Sequence, residues 1–131
     1  MIISKEREEK SPTQVLLEIL EKSDFLFYKT GSRYFGTTNK SSDWDFFTQN
    51  SPNVVTFLNL FGFEDISKKD AQYRDPSLAA VWAKGRVQIQ LVHDADAKVA
   101  IQKAISECPR LVTHLSNKLV AKQIWTLAWN C

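Results

Sequence analysis

Asp43-Trp44-Asp45-Phe46 is the stretch that most narrows what this chain can fold into. Two acids alternate with two large aromatic rings, and an extended strand sends such neighbours to opposite sides. A strand over Asp43 to Thr48 therefore turns Trp44 and Phe46 toward a core and leaves Asp43 and Asp45 together on the other face. Two like charges that close repel one another unless a cation neutralises them, and oxygen donors of this kind suit Mg²⁺ or Mn²⁺. The same alternation also describes the solvated face of an ordinary half-exposed strand, so its meaning depends on what surrounds it.

The flanking segments supply a sheet with helices. Ser11-Pro12-Thr13-Gln14 is a helix start, with Ser11 placed to accept from an orphan amide, Pro12 suited to the first turn and Gln14 completing a capping box. Val15, Leu16, Ile19 and Leu20 then recur at helical spacing to about Lys22. Phe25 to Lys29 reads as a short aromatic strand, and Gly31 to Ser42 as a turn or a short irregular helix. Ser51-Pro52 repeats the cap-and-proline start, Val54, Val55, Phe57, Leu58 and Phe61 form an apolar face, and Gly62 fits the left-handed stop.

Beyond these, Phe63 to Ile66 reads as a short strand and Ser67 to Pro76 as a loop. Leu78 to Trp82 and Arg86 to Val92 read as a hairpin turning near Lys84-Gly85. Ala95 to Glu107 is expected as a helix with Ala97, Ile101, Ala104, Ile105 and Cys108 on one side. A second helix follows Pro109, with Leu111, Leu115, Leu119 and Ile124. The fold class expected is α+β (mixed α/β): one mixed sheet with helices packed on it, a single domain over residues 11–131, and a loosely held charged segment over residues 1–10. With 131 residues and 44% hydrophobic side chains, one core is expected.

Gly31-Ser32 lies ten residues upstream of Asp43. A glycine there lets backbone amides approach a phosphate and a serine adds a hydroxyl donor, although both residues are also plain turn formers. The run Thr30-Gly31-Ser32, ten residues, Asp43-Trp44-Asp45-Phe46 resembles the DNA polymerase beta-type nucleotidyltransferase superfamily. That pattern is a hydrophobic residue, Gly, Gly or Ser, a spacer, then Asp-hydrophobic-Asp/Glu-hydrophobic. Gly36 and Ser42 agree with the inner glycine and the serine before the first aspartate in smaller members.

The resemblance implies metal-dependent transfer of a nucleoside monophosphate from an NTP to a hydroxyl on RNA, protein or a small molecule. In it Asp43 and Asp45 are the catalytic metal ligands for Mg²⁺ or Mn²⁺. Gly31, Ser32, Arg33 and Ser42 are the nucleotide-binding positions, and Lys40 is a further source of charge near the pyrophosphate. The resemblance also calls for a third carboxylate on a later central strand. Here that strand reads Val87-Gln88-Ile89-Gln90-Leu91, so Gln88 or Gln90 stands at the expected position with a neutral amide, a weaker ligand for a hard ion and no proton acceptor. Asp94, at the end of the same strand, and Asp65 are the carboxylates considered as replacements. The alternative function is a module that kept the fold and lost the reaction, acting as a nucleotide-binding or partner-binding regulator.

Other residues carry less. His93 is a possible general base or a strand-end polar residue, and His114 falls on a solvated helix face. Trp82, Trp125, Trp129, Tyr28 and Tyr73 could stack on a base, but large aromatics more often fill the core of a small domain. Tyr34 and Phe35, inside the glycine-bearing loop, read as stacking groups if exposed and as loop anchors if buried. Seventeen basic and fifteen acidic residues give a net charge of only +2, far from the dense basic stripe of a dedicated nucleic-acid binder, and charge alone names no partner. Cys108 and Cys131 have no metal-ligand spacing and are expected as reduced thiols in a cytoplasmic protein. No apolar leader and no run near the roughly 18 apolar residues of a membrane span is present, so no membrane association is expected. A chain this short leaves acceptor choice to a protein partner or a homo-oligomer.

Overall fold

The computed structural model describes residues 11–38, 43–69 and 77–129. Helix α1 (Pro12–Lys22) begins as the sequence predicts: the Ser11 hydroxyl accepts from Gln14 N, and the Gln14 side chain accepts from Ser11 N. Strand β1 (Tyr28–Thr30) runs into a single-turn helix α2 (Ser32–Phe35), and strand β2 (Trp44–Gln49) follows. Helix α3 (Pro52–Leu60) is capped by Ser51, whose hydroxyl accepts from Val54 N. Strands β3 (Glu64–Asp65), β4 (Leu78–Lys84) and β5 (Val87–Val92) come next, then helices α4 (Ala95–Ser106), α5 (Pro109–His114) and α6 (Lys118–Trp129). The result is the α+β architecture expected, a five-stranded mixed sheet with helices in one domain. Among the described residues no helix is long and apolar enough to cross a membrane.

The strand order is β1-β2-β5-β4-β3. β2 and β5 pair in parallel at the centre, and every other pairing is antiparallel. Side-chain alternation divides the sheet into two faces. Phe46, Val87, Ile89, Leu91 and Trp82 turn toward α1 and α3, where they meet Leu16, Leu20, Val54 and Leu58 in the larger core. Phe47 and Val92 turn the other way, toward Ala95 and Val99 of α4, with Tyr28 and Leu78 beside them. Gln49 ties the two layers, its Nε2 donating to His93 O and its Oε1 accepting from Ala95 N at the start of α4.

Three local expectations are corrected. The first strand is shorter than Phe25 to Lys29 and lies later; Phe25 and Phe27 instead stack on Phe57 of α3, 5.3 and 6.0 Å between centroids. The helix after Pro109 is broken in two, because Asn117 Oδ1 accepts from Leu119 N and Val120 N and so caps a fresh start. The inward face of α4 is Ala95, Lys98, Gln102 and Ile105, rather than the side through Ala97, Ile101 and Ala104. Polar groups on the sheet below select that face.

Phe47 is fully buried and stacks on Tyr28 at 5.2 Å between centroids. Phe47→Ala is expected to cost about 3–5 kcal/mol of stability, read from the urea midpoint; a loss under about 1 kcal/mol would contradict this packing of α4 on the sheet.

Candidate metal and nucleotide site

The site grows from one close approach. Gly31 links β1 to α2 with φ 68° and ψ −156°, a region that residues with a Cβ essentially do not occupy. A Cβ added there would stand 2.6 Å from Asp45 Oδ2 and 3.4 Å from both Cβ and Cγ of Asp45. The turn therefore lies close to the carboxylate: the backbone conformation calls for glycine, and an added Cβ would also have to move the Asp45 side chain. Gly36 closes α2 in the left-handed region with nothing within 4 Å of an added Cβ, so only the first reason holds there.

Strand register fixes the neighbours of Asp45. Thr30 of β1 pairs with it on one side and Gln88 of β5 on the other. Thr30 is buried, and Asp45 and Gln88 are half-buried. Asp43 precedes β2 at the exposed mouth, where its Oδ1 lies 3.8 Å from Arg86 Nε. Ion pairs this exposed contribute at most about 1 kcal/mol, so a divalent ion can displace it. Arg33 donates from Nε to Asp43 O at 3.3 Å, and its guanidinium carbon stands 3.8 Å from the Trp44 ring centroid. That stacking and hydrogen bond brace the entry of β2, a role that sequence reasoning did not assign to Arg33.

Of the positions weighed for a third ligand, Gln88 is the one in register with Asp45. Gln90 pairs with Phe47 and accepts from Lys98 Nζ. Asp94 caps α4, accepting from Ala97 N at 3.0 Å. It lies six residues beyond Gln88 along the strand direction, about 20 Å at strand rise. Asp65 sits on β3, three strands from β2, roughly 14 Å away at the usual strand spacing, and accepts from Ser67 N and Oγ. Neither acid is brought to Asp45. Ser42 and Lys40 lie outside the described residues, as do Tyr73 and the Trp129 side chain. His93 and His114 are exposed.

Tyr34 and Phe35 meet edge-on at 4.8 Å between ring centroids. Tyr34 is exposed, while Phe35 is half-buried and meets Trp125 of α6 edge-on at 6.3 Å, anchoring the loop. Sequence reasoning missed Lys98 and Gln102, which α4 buries over the same sheet face as Asp45. Their i, i+4 spacing was a legible signal of a shared face, but long polar side chains are ordinarily assigned to solvent.

The donors beside the strand pair are hard oxygens: two carboxylates and the Gln88 amide. Such a set is of the donor type that suits Mg²⁺. It does not form an all-protein cage: among the described residues no group of three or more His, Cys, Asp or Glu side chains is placed to hold a metal ion. Comparison of the chain with protein-family models, curated proteins and solved structures returned no match.

Gly31→Ala is expected to lower stability by about 1–3 kcal/mol through backbone strain alone, and more through displacement of Asp45. Gly36→Ala is expected to lose about 1 kcal/mol. Urea unfolding of the two variants checks the order; equal losses would contradict the close approach at Gly31.

Proposed function

We propose that this domain binds a nucleoside triphosphate with Mg²⁺ or Mn²⁺ at Asp43 and Asp45 and transfers the nucleoside monophosphate to a hydroxyl acceptor. The observation that carries the reading is the contact of Gly31 with the Asp45 carboxylate. It brings the Gly31-Ser32 turn and the Asp43/Asp45 strand, separated by the loop in sequence, to one place. The resemblance to nucleotidyltransferases of the DNA polymerase beta type supplies the reaction class.

In this reading the carboxylates of Asp43 and Asp45 hold the ion, and Ser32 with the backbone at Gly31 orients the phosphates. The divalent ion supplies Lewis-acid polarisation of the phosphoryl oxygens. The acceptor oxygen forms a bond to the α phosphorus, the bond from that phosphorus to the bridging oxygen breaks, and pyrophosphate leaves. The acceptor proton passes to solvent water, because the Gln88 amide has no basicity for it and both carboxylates would be engaged with the ion. The acceptor is a hydroxyl on RNA, protein or a small molecule, chosen with the help of a protein partner or a second copy. A reducing cytoplasmic setting suits Cys108, a free, half-buried thiol.

A second reading is favoured by one observation. Gln88 occupies the register position beside Asp45, and Asp94 and Asp65 lie elsewhere. The domain is then a regulator that binds nucleotide and metal without transfer. Calorimetric titration of each NTP with Mg²⁺ or Mn²⁺ into wild type and Asp45→Asn tests the common core of both. Metal-dependent binding that falls at least tenfold in the variant is expected, and absence of binding to every NTP would sink both readings. Labelled α-phosphate appearing on an acceptor selects transfer; binding with no transfer to any acceptor class selects the regulator.

A further inference from the structure

Away from the acidic strand, the described residues carry an aromatic surface beside α3. Phe25 and Phe27 meet Phe57 at 5.3 and 6.0 Å between ring centroids, and Phe57 meets Phe61 at 4.9 Å. All four rings are half-buried, packed on the larger core from outside. Leu26, between the first two in sequence, is 70% exposed, and Leu60, just before the last, is 77% exposed. A lone exposed leucine needs no explanation, but two beside a cluster of half-covered rings form a contact surface. A second pair lies on α6. Leu119 and Leu127 are 77% and 68% exposed, and exposed Gln123 falls midway between them at i+4, so all three share one side of the helix. α6 sits on the α4 side of the sheet, where the Trp125 ring centroid stands 5.2 Å from Lys98 Nζ, whereas the aromatic cluster sits on the α1 and α3 side. Within one copy the two surfaces face apart.

Their charges are opposite. Residues 11–27 and 52–65, which build the aromatic side, hold Glu18, Glu21, Asp24, Glu64 and Asp65 against Lys22, with Lys84 of β4 donating to Phe61 O at their edge. Residues 108–131 hold no Asp or Glu at all, but Arg110, Lys118 and Lys122. Lys122, one turn from Leu119, is exposed, as are Glu21 and Asp24. We infer that copies of this chain associate head to tail, the Leu119–Leu127 side of α6 in one copy seated on the Phe25, Phe27, Phe57 and Phe61 cluster of the next. Like charges oppose the pairing of α6 with α6 and of cluster with cluster, while the mixed contact brings acid to base around an apolar centre. Such a contact closes into a ring or continues as an open chain, according to the rotation between neighbours. It requires nothing of Asp43 and Asp45 and stands or falls apart from the metal–nucleotide reading.

The test is analytical ultracentrifugation of wild type, Leu60→Lys, Leu127→Asp and an equimolar mixture of the two variants, each over a concentration series and with a thermal melt. Wild type is expected to gain mass with concentration or to sediment as a closed ring. Both leucines are exposed, so the variants are expected to melt close to wild type. Each alone is expected to self-associate at least about tenfold more weakly, because it sets an unmatched charge in the contact. The mixture is expected to associate again, since Leu127→Asp keeps an intact cluster and Leu60→Lys an intact α6. Leu26→Lys and Leu119→Asp repeat the experiment if either of the first two melts early. Wild type that stays monomeric, its cluster covered by another protein or by the chain's own residues, overturns the inference. So does association that survives one variant, the mark of cluster–cluster or α6–α6 pairing, and so does a mixture that stays monomeric.

Discussion

β2 and β5 lie side by side in parallel, with Asp45 opposite Gln88 and Phe46 opposite Ile89, and the remaining structure is arranged around that register. One face of the pair sends Phe46, Val87, Ile89 and Leu91 into the core with α1 and α3. A slip of a single residue would exchange the faces, driving Asp45 into that core and Phe46 out of it. Burial of the apolar face thus holds the polar face in place. The carboxylate, the two glutamines and the row beneath α4 occupy fixed positions because residues that never touch the site would lose their packing if they moved.

The second constraint is the contact between Gly31 and Asp45. It joins the β1–α2 turn to a central strand, where a rigid scaffold limits the carboxylate to a small volume. Arg33 adds to this from the side, stacking on Trp44 and bonding Asp43 O, so both ends of the acidic segment are braced from α2. On the far side α4 is anchored at its start by Gln49 and Asp94 and runs back over the sheet, which sets Lys98 above Phe47. The face beneath α4 thus mixes polar groups (Lys98, Asp45 and two glutamines) with the apolar Phe47 and Val92.

Much of this was readable from the residues. Ser11 and Ser51 announced their helices through capping chemistry, Gly62 and Gly85 marked turns with φ of 84° and 58°, and the alternation of Asp43 to Phe46 separated site from core. The choice between Gln88 and Gln90 was not readable, because both point the same way from β5 and only register against β2 distinguishes them. The face of α4 was misread for a related reason: Ala97, Ile101 and Ala104 form a plausible apolar side, but the sheet beneath offers Gln90 and the Lys29 carbonyl, and these draw Lys98 and Gln102 inward. The break at Asn117 was written in the sequence as a capping residue inside an apolar run, and the periodicity of Leu115, Leu119 and Ile124 masked it.

The central claim is that Asp43 and Asp45 hold a divalent ion together with a nucleotide's phosphates beside Gly31. Anomalous diffraction at the manganese edge, from crystals grown with Mn²⁺ and a non-hydrolysable NTP, tests it most directly. The account predicts one manganese peak within ligand distance, about 2.0–2.3 Å, of carboxylate oxygens from both Asp43 and Asp45, with phosphate density against the Gly31-Ser32 turn. Manganese absent from these two residues in crystals that contain the bound nucleotide elsewhere would contradict it.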